Sequence, residues 1–153
     1  MVNFKEDSWL YALIAAILGA ISIFTPSASQ TTAGVTQQVW LGGFVSYLSG
    51  GGFDDWFGTQ GAQLWYLGVS LVCITLLMVY SINSWRGKEF KWDWLIYLLT
   101  GLGMFIFSIL FWTDPALEDV DIGFASIGIF IAGILAILAF VLDKFGAKLF
   151  GGE

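Results

Sequence analysis

Four long runs of the chain carry no charged residue, and they constrain its fold more than any other feature. The runs are Ser8–Phe53, Trp56–Trp85, Trp94–Thr113 and Ile122–Leu142. A helix needs about 20 apolar residues to cross the roughly 30 Å hydrocarbon layer of a bilayer, and each run supplies them. The sequence therefore predicts an all-α transmembrane four-helix bundle, a single domain over residues 1–153, with spans at about 8–25, 62–83, 94–113 and 122–142.

Basic residues fall into three short segments that separate or flank the predicted spans. They are Lys5, the central group Arg86, Lys88 and Lys91, and the pair Lys144 and Lys148. Because Lys and Arg stay on the cytoplasmic side, both termini and the central loop are expected to be cytoplasmic, in a multi-pass protein of the plasma membrane. All eight tryptophans lie at predicted span ends or in loops, where the indole ring anchors at headgroup level.

The remaining charge is displayed on the outer side, away from the basic segments. Six of the twelve carboxylates lie there with no cation among them: Asp54, Asp55, Asp114, Glu118, Asp119 and Asp121. The net charge of −6 is therefore carried outward, and an acidic face repels nucleic acid.

Small residues recur at four-residue intervals in the first and fourth spans. They are Ala12, Ala16 and Ala20 in the first and Gly128, Ala132 and Ala136 in the fourth. Small residues allow the close backbone approach that drives helix association in lipid, so these two spans are expected to face each other. The same faces would also suit a neighbouring subunit. The second span is bulkier around Leu71–Val79 and is expected to meet more lipid.

The first outer loop, residues 26–61, is predicted to contain a small antiparallel sheet. Val35–Leu41 and Phe44–Leu48 are rich in β-branched and aromatic residues, and Gly42-Gly43 between them is a hairpin signal. Phe53–Phe57 could add a third strand. A lone hairpin is marginal in water, so its aromatic side chains must pack on the bundle, lipid or a partner. The candidate partner contacts are Trp40, Phe44, Tyr47, Trp56 and Phe57.

The outer carboxylates are the candidate cation ligands. Asp54 and Asp55 are framed by aromatics, and Asp114, Glu118, Asp119 and Asp121 of the second outer loop could join them around calcium, which takes six to eight oxygens. The preferred interpretation is that these residues are solvated and that several cap helices. No metal site is assigned, and bound lipid is the only other expected cofactor.

Reactive chemistry is scarce in the chain. It contains no histidine, and no charged residue lies inside a predicted span. Intramembrane ionisable groups are the usual sign of proton relays and coupled transport, so neither an enzyme nor a pump is expected.

The order of these parts resembles the claudin-like four-span superfamily. The shared features are four spans, cytoplasmic termini, a long first outer loop with strands and tryptophans, and a short second loop. Trp40 and Trp56 stand where the family has its loop tryptophans, and Val39-Trp40-Leu41-Gly42 is loosely similar to its Gly-Leu-Trp motif, but both signature cysteines are missing. The resemblance implies lateral assembly and surface contacts rather than catalysis, and it transfers no residue roles.

The expected function is therefore that of a non-enzymatic membrane protein that assembles laterally. It would form a homo-oligomer or join a larger membrane complex, through its outer loop and its small-residue helix faces. The alternative is an oligomeric passive pore whose acidic outer ring concentrates cations.

Overall fold

The described part of the chain folds into four helices and one five-stranded sheet. The computed structural model describes residues 7–32, 34–41, 45–47, 52–54, 62–88, 90–113 and 121–150, with the backbone alone at 32, 45–47, 52–54, 62–63 and 147–150. The helices are α1 (Ser8–Ile23), α2 (Ala62–Trp85), α3 (Asp93–Trp112) and α4 (Phe124–Phe150). The strands are β1 (Pro26–Thr32), β2 (Val35–Trp40), β3 (Val45–Tyr47), β4 (Gly52–Asp54) and β5 (Asp121–Ile122).

Three of the helices, α2, α3 and α4, are long and apolar enough to cross a membrane. The first helix is equally apolar but has only 16 residues. All four begin and end within two residues of the predicted spans, except that α4 continues without a break to Phe150.

The end of α1 is fixed by Thr25 and Pro26. A proline disfavours helical geometry at the residue before it, so the helix cannot pass Thr25. The Thr25 hydroxyl donates to the Ser22 carbonyl at 2.8 Å, and the Phe24 amide donates to the Ile21 carbonyl at 3.1 Å. The last turn is therefore closed by local bonds, and the chain enters β1 directly.

The helices form an up-and-down bundle in which each packs mainly on two neighbours, in the cyclic order α1, α2, α3, α4. At one end the ring of Trp9 in α1 lies 6.2 Å from that of Trp85 in α2. At the other end the Trp112 ring of α3 lies 4.9 Å from the Phe130 ring of α4. Consecutive helices are therefore antiparallel, and the segments that carry Arg86 and Lys144 share the first end.

The sheet confirms the hairpin expected in the first outer loop. Strands β2 and β3 pair antiparallel with Val39 opposite Val45, and β4 supplies the third strand through the pair Ser46 and Phe53. The Gly42-Gly43 link lies outside the described residues.

Two strands of the sheet, β1 and β5, were not predicted. The strand order is β4-β3-β2-β1-β5, so the polar segment after α1 and the end of the second loop both join it. Ser and Gln have little intrinsic preference for strands, and β1 forms because it pairs with β2 along its length. Strand β5 has only two residues, which is too short for a sequence pattern to show.

One junction fastens the sheet to the helices. The Gly123 amide donates to the Ser27 carbonyl at 2.7 Å, and the Ser126 hydroxyl of α4 lies 3.2 Å from the same carbonyl. The buried Ser27 hydroxyl in turn donates to the Val39 carbonyl of β2 at 2.8 Å. A Cβ at Gly123 would overlap the backbone at Pro26 and Ser27, so only glycine fits where these two backbone segments approach each other.

Helices α3 and α4 approach each other backbone to backbone. A Cβ built on Gly101 would come within 2.9 Å of the Ile137 amide nitrogen and 3.0 Å of the Gly133 carbonyl oxygen. Because these contacts are with backbone atoms, they cannot be relieved by a side-chain rotation.

We expect Gly101→Ala to destabilise the bundle by about 1–3 kcal/mol, the usual cost of overpacking. The measurement is the free energy of unfolding by SDS titration in mixed micelles. Leu99→Ala is the control on the same helix, since Leu99 is 57% exposed and its truncation should change the stability by no more than about 0.5 kcal/mol. Equal stability of the two variants would contradict the close approach.

Candidate functional site

The outward faces of the helices carry large apolar side chains. Ala12, Ala16, Ala132 and Ala136 are fully buried, as are the large side chains of Leu77, Tyr97 and Met104. Exposed Leu and Ile residues on the outward faces of α1, α3 and α4 are Leu10, Ile14, Ile17, Ile21, Leu99, Leu102, Ile106, Ile109, Leu110, Ile127, Ile131, Ile134 and Leu138. A water-soluble helix bundle instead has charged and polar side chains on its outward faces.

The small-residue faces predicted for helix packing are used inside the chain. Helices α1 and α4 are in extensive contact. A Cβ at Gly128 would overlap the Ser22 side chain, and a Cβ at Gly19 would lie 3.9 Å from that of Ala132. Ala20 is half-buried and packs against the same core of buried residues. These residues are therefore not available to bind a neighbouring subunit.

The residues predicted to contact a partner lie in or beside the sheet. Trp40 ends β2 and is half-buried, with its Cα opposite that of Pro26. Tyr47 ends β3, where only the backbone is described. Phe44, Trp56 and Phe57 lie outside the described residues.

The sheet separates two of the candidate cation ligands. Asp54 ends β4 and the exposed Asp121 begins β5, and these strands are the opposite edges of the sheet. Four strand spacings of about 4.8 Å put them about 19 Å apart, too far to share one ion. No group of three or more potential metal ligands occurs among the described residues. Outside these residues lie Asp55, Asp114, Glu118 and Asp119.

A small, mainly apolar cavity lies between α2, α3 and α4. Leu41, Tyr66, Phe107, Phe111 and Ile129 line it together with Ser70, Ser108 and Ser126. Its volume is about 10 Å³. The Ser108 hydroxyl is already bonded to the Met104 carbonyl at 2.9 Å, and the Ser126 hydroxyl to the Gly123 carbonyl at 3.0 Å. The cavity is therefore too small and too apolar for an organic substrate.

The outward face of α2 differs from those of the other helices. We define the α2 face as Gly68, Leu71, Val72, Thr75 and Val79, which are all exposed and recur at three- and four-residue intervals. Among the glycines of the described helices, Gly68 alone is exposed, and among their serines and threonines only Thr75 is. Beside its exposed Leu and Val side chains, this face thus has one position without a side chain and one hydroxyl.

The second span was predicted to meet more lipid because of its bulky side chains around Leu71–Val79. Gly68 and Thr75 were visible in the sequence, but their exposure depends on how the helix is rotated in the bundle. The periodicity of α2 does not reveal that rotation, since apolar residues surround the helix on every side.

No family model, curated protein or solved structure matches this chain. The resemblance to the claudin-like superfamily therefore stays a prediction from the order of the elements.

Proposed function

We propose that the protein is a four-span integral membrane protein that acts by lateral association rather than by catalysis. The apolar outward faces of the helices support the membrane location. Lipid solvates the exposed Leu and Ile residues at no cost, and the small buried residues give the close packing that replaces the hydrophobic effect there. In water the same surface would be a continuous apolar patch around the bundle.

Helix α1 is short for a span, but its packing supports a crossing. Sixteen residues extend about 24 Å, against roughly 30 Å of hydrocarbon. The helix packs along both α2 and α4 and cannot leave the layer that those helices cross. Local thinning of the bilayer over a few ångströms costs only a fraction of a kcal/mol per Å.

The placement of cations supports the proposed orientation. Arg86, Lys88, Lys91 and Lys144 lie at one end of the bundle, and the sheet lies at the other. By the positive-inside rule, the sheet faces outward and both termini are cytoplasmic.

Cysteine labelling of intact cells tests this orientation. The only native cysteine is Cys73, so a Cys73→Ala background allows single new thiols to be placed. We expect a membrane-impermeant maleimide to label Val35→Cys in the sheet and to leave Lys88→Cys unlabelled until the cells are opened. The opposite result would invert the topology.

The α2 face is the surface that we assign to lateral association, and the exposure of Gly68 and Thr75 together carries this assignment. Glycine costs a helix about 1 kcal/mol relative to alanine, and here it relieves no contact within the chain. In membranes a small residue lets a second helix approach closely, and a Thr hydroxyl can bond across the interface. A second copy of the chain offers the same face, as a two-fold symmetric dimer requires.

Disulfide scanning tests whether two copies meet at the α2 face. In the Cys73→Ala background, we expect cysteines at Gly68, Val72, Thr75 or Val79 to cross-link in native membranes. Their spacing puts them all on one side of the helix. Cysteines at Ile106 in α3 and Ile131 in α4 are the controls, because both positions are exposed on outward faces. Equal cross-linking at the controls would indicate random collision and refute the interface.

Substitution of the same face tests its energetic role. A leucine at Gly68 has open space in the single chain, so Gly68→Leu should leave the fold intact while separating the two helices. We expect the dimer population to fall about tenfold in native mass spectra recorded from gentle detergent. A wild-type mass of one copy with a foreign subunit would instead assign the face to a larger complex.

A further inference from the structure

The short connection between α2 and α3 has a fixed turn at each of its two ends. We call its described residues, Arg86–Lys88 and Phe90–Trp92, the inner loop. It begins with a Schellman motif, in which Gly87 has φ 73°, its amide donates to the Ser84 carbonyl at 2.9 Å, and the Lys88 amide reaches the Asn83 carbonyl at 2.9 Å. The arrangement fixes the direction in which the chain leaves α2.

The other end of the inner loop is fixed by a buried carboxylate. Asp93 has an exposed fraction of only 5%, and its Oδ2 accepts a hydrogen bond from the Phe90 amide at 2.9 Å. The Asp93 amide returns a bond to the Phe90 carbonyl at 3.1 Å. This carboxylate is thus turned into the protein, where it shapes the loop and is withdrawn from the surface.

The charges left on the described surface of this end are positive. Arg86, Lys88, Lys91 and Lys144 are all exposed, whereas the described carboxylates Asp7, Asp93 and Asp143 are buried or half-buried. Glu6, Glu89 and Glu153 lie outside the described residues. The acidic residues of the sheet lie a whole bundle length away, far beyond the Debye length of about 8 Å, so the described exposed charges near the inner loop are the four cations.

Exposed aromatic rings surround the same cations. Trp85, Phe90 and Trp92 have exposed fractions of 63%, 53% and 57%. The Lys144 ammonium lies 4.3 Å from the centre of the Trp94 ring, which holds this cation beside the loop. Indole rings settle at the level of lipid headgroups, so the cations beside them are placed where phosphates lie.

We propose that the inner loop and Lys144 bind the headgroups of anionic phospholipids. The inference rests on the proposed membrane location and adds the class of lipid that the protein selects. The headgroup of such a lipid has a net negative charge, whereas in phosphatidylcholine the choline ammonium neutralises the phosphate, and each approaching Lys or Arg strengthens binding about fivefold. The apolar rings beside the cations contact the upper acyl chains of the same lipid.

Native mass spectrometry of the purified chain in neutral detergent tests this selectivity. The protein is titrated separately with phosphatidylglycerol and phosphatidylcholine, and the bound lipids are counted. We expect the wild type to prefer phosphatidylglycerol, and the triple variant Arg86→Gln/Lys88→Gln/Lys91→Gln to lose that preference by about fivefold or more. Equal binding of the two lipids by the wild type, or an unchanged preference in the variant, would overturn the proposal.

The matched control is Arg86→Lys/Lys88→Arg/Lys91→Arg, which keeps every charge and should keep the preference. Purified protein is used because removing cations also weakens the topology signal in cells. Extraction of wild-type membranes with alkaline carbonate separates this inference from the proposed function. A chain that stays in the pellet without selecting anionic lipid refutes the lipid site alone, whereas a chain released into the supernatant refutes the membrane location as well.

Discussion

Close contact between helix backbones is the interaction on which the rest of this structure depends. Gly101 of α3 and Gly133 of α4 meet through backbone atoms, and the alanines of α1 and α4 are buried against each other. In the proposed membrane location lipid offers no hydrophobic driving force between helices, so dispersion contacts at short distance would stabilise the bundle. Large side chains cannot fit where the backbones meet. Some are buried elsewhere in the bundle, such as Leu77, Tyr97 and Met104, and the exposed Leu and Ile residues form the outward faces.

The seam between α1 and α4 also determines the form of the sheet. Because the end of α1 lies beside the start of α4, the chain leaving one helix runs past the chain entering the other. Ser27 and Gly123 can then form a backbone bond, and β1 and β5 pair beside it at Ala28 and Ile122. Strand β1 is therefore positioned by the packing of α1 on α4. It pairs with β5 along one edge and with β2 of the predicted hairpin along the other.

Much of this arrangement was predictable because it follows from local composition. Charge-free length places the helices, Pro26 ends α1, and Gly42-Gly43 separates two strands of evident β character. Strands β1 and β5 were not predictable, because their strand state is imposed by pairing partners distant in the sequence. The α2 face was hidden for a related reason. The rotation of α2 in the bundle turns Gly68 outward, and no residue of the chain packs so closely against it that a glycine is required. The sequence does not show this rotation.

The unequal roles of α2 and α4 explain why association at α2 is compatible with the fold. The two helices lie diagonally in the bundle, and half of the most apolar window of α4 is buried against 28% of that of α2. Helix α4 packs closely on both α1 and α3, and its start forms the junction with the sheet. A new neighbour on α4 would therefore compete with the contacts that define the fold. Helix α2 makes fewer such contacts, and its outward face has an exposed glycine and an exposed threonine. The proposed second copy would bind this face without altering the α1–α4 and α3–α4 contacts or the sheet, so that assembly and folding would be energetically separate.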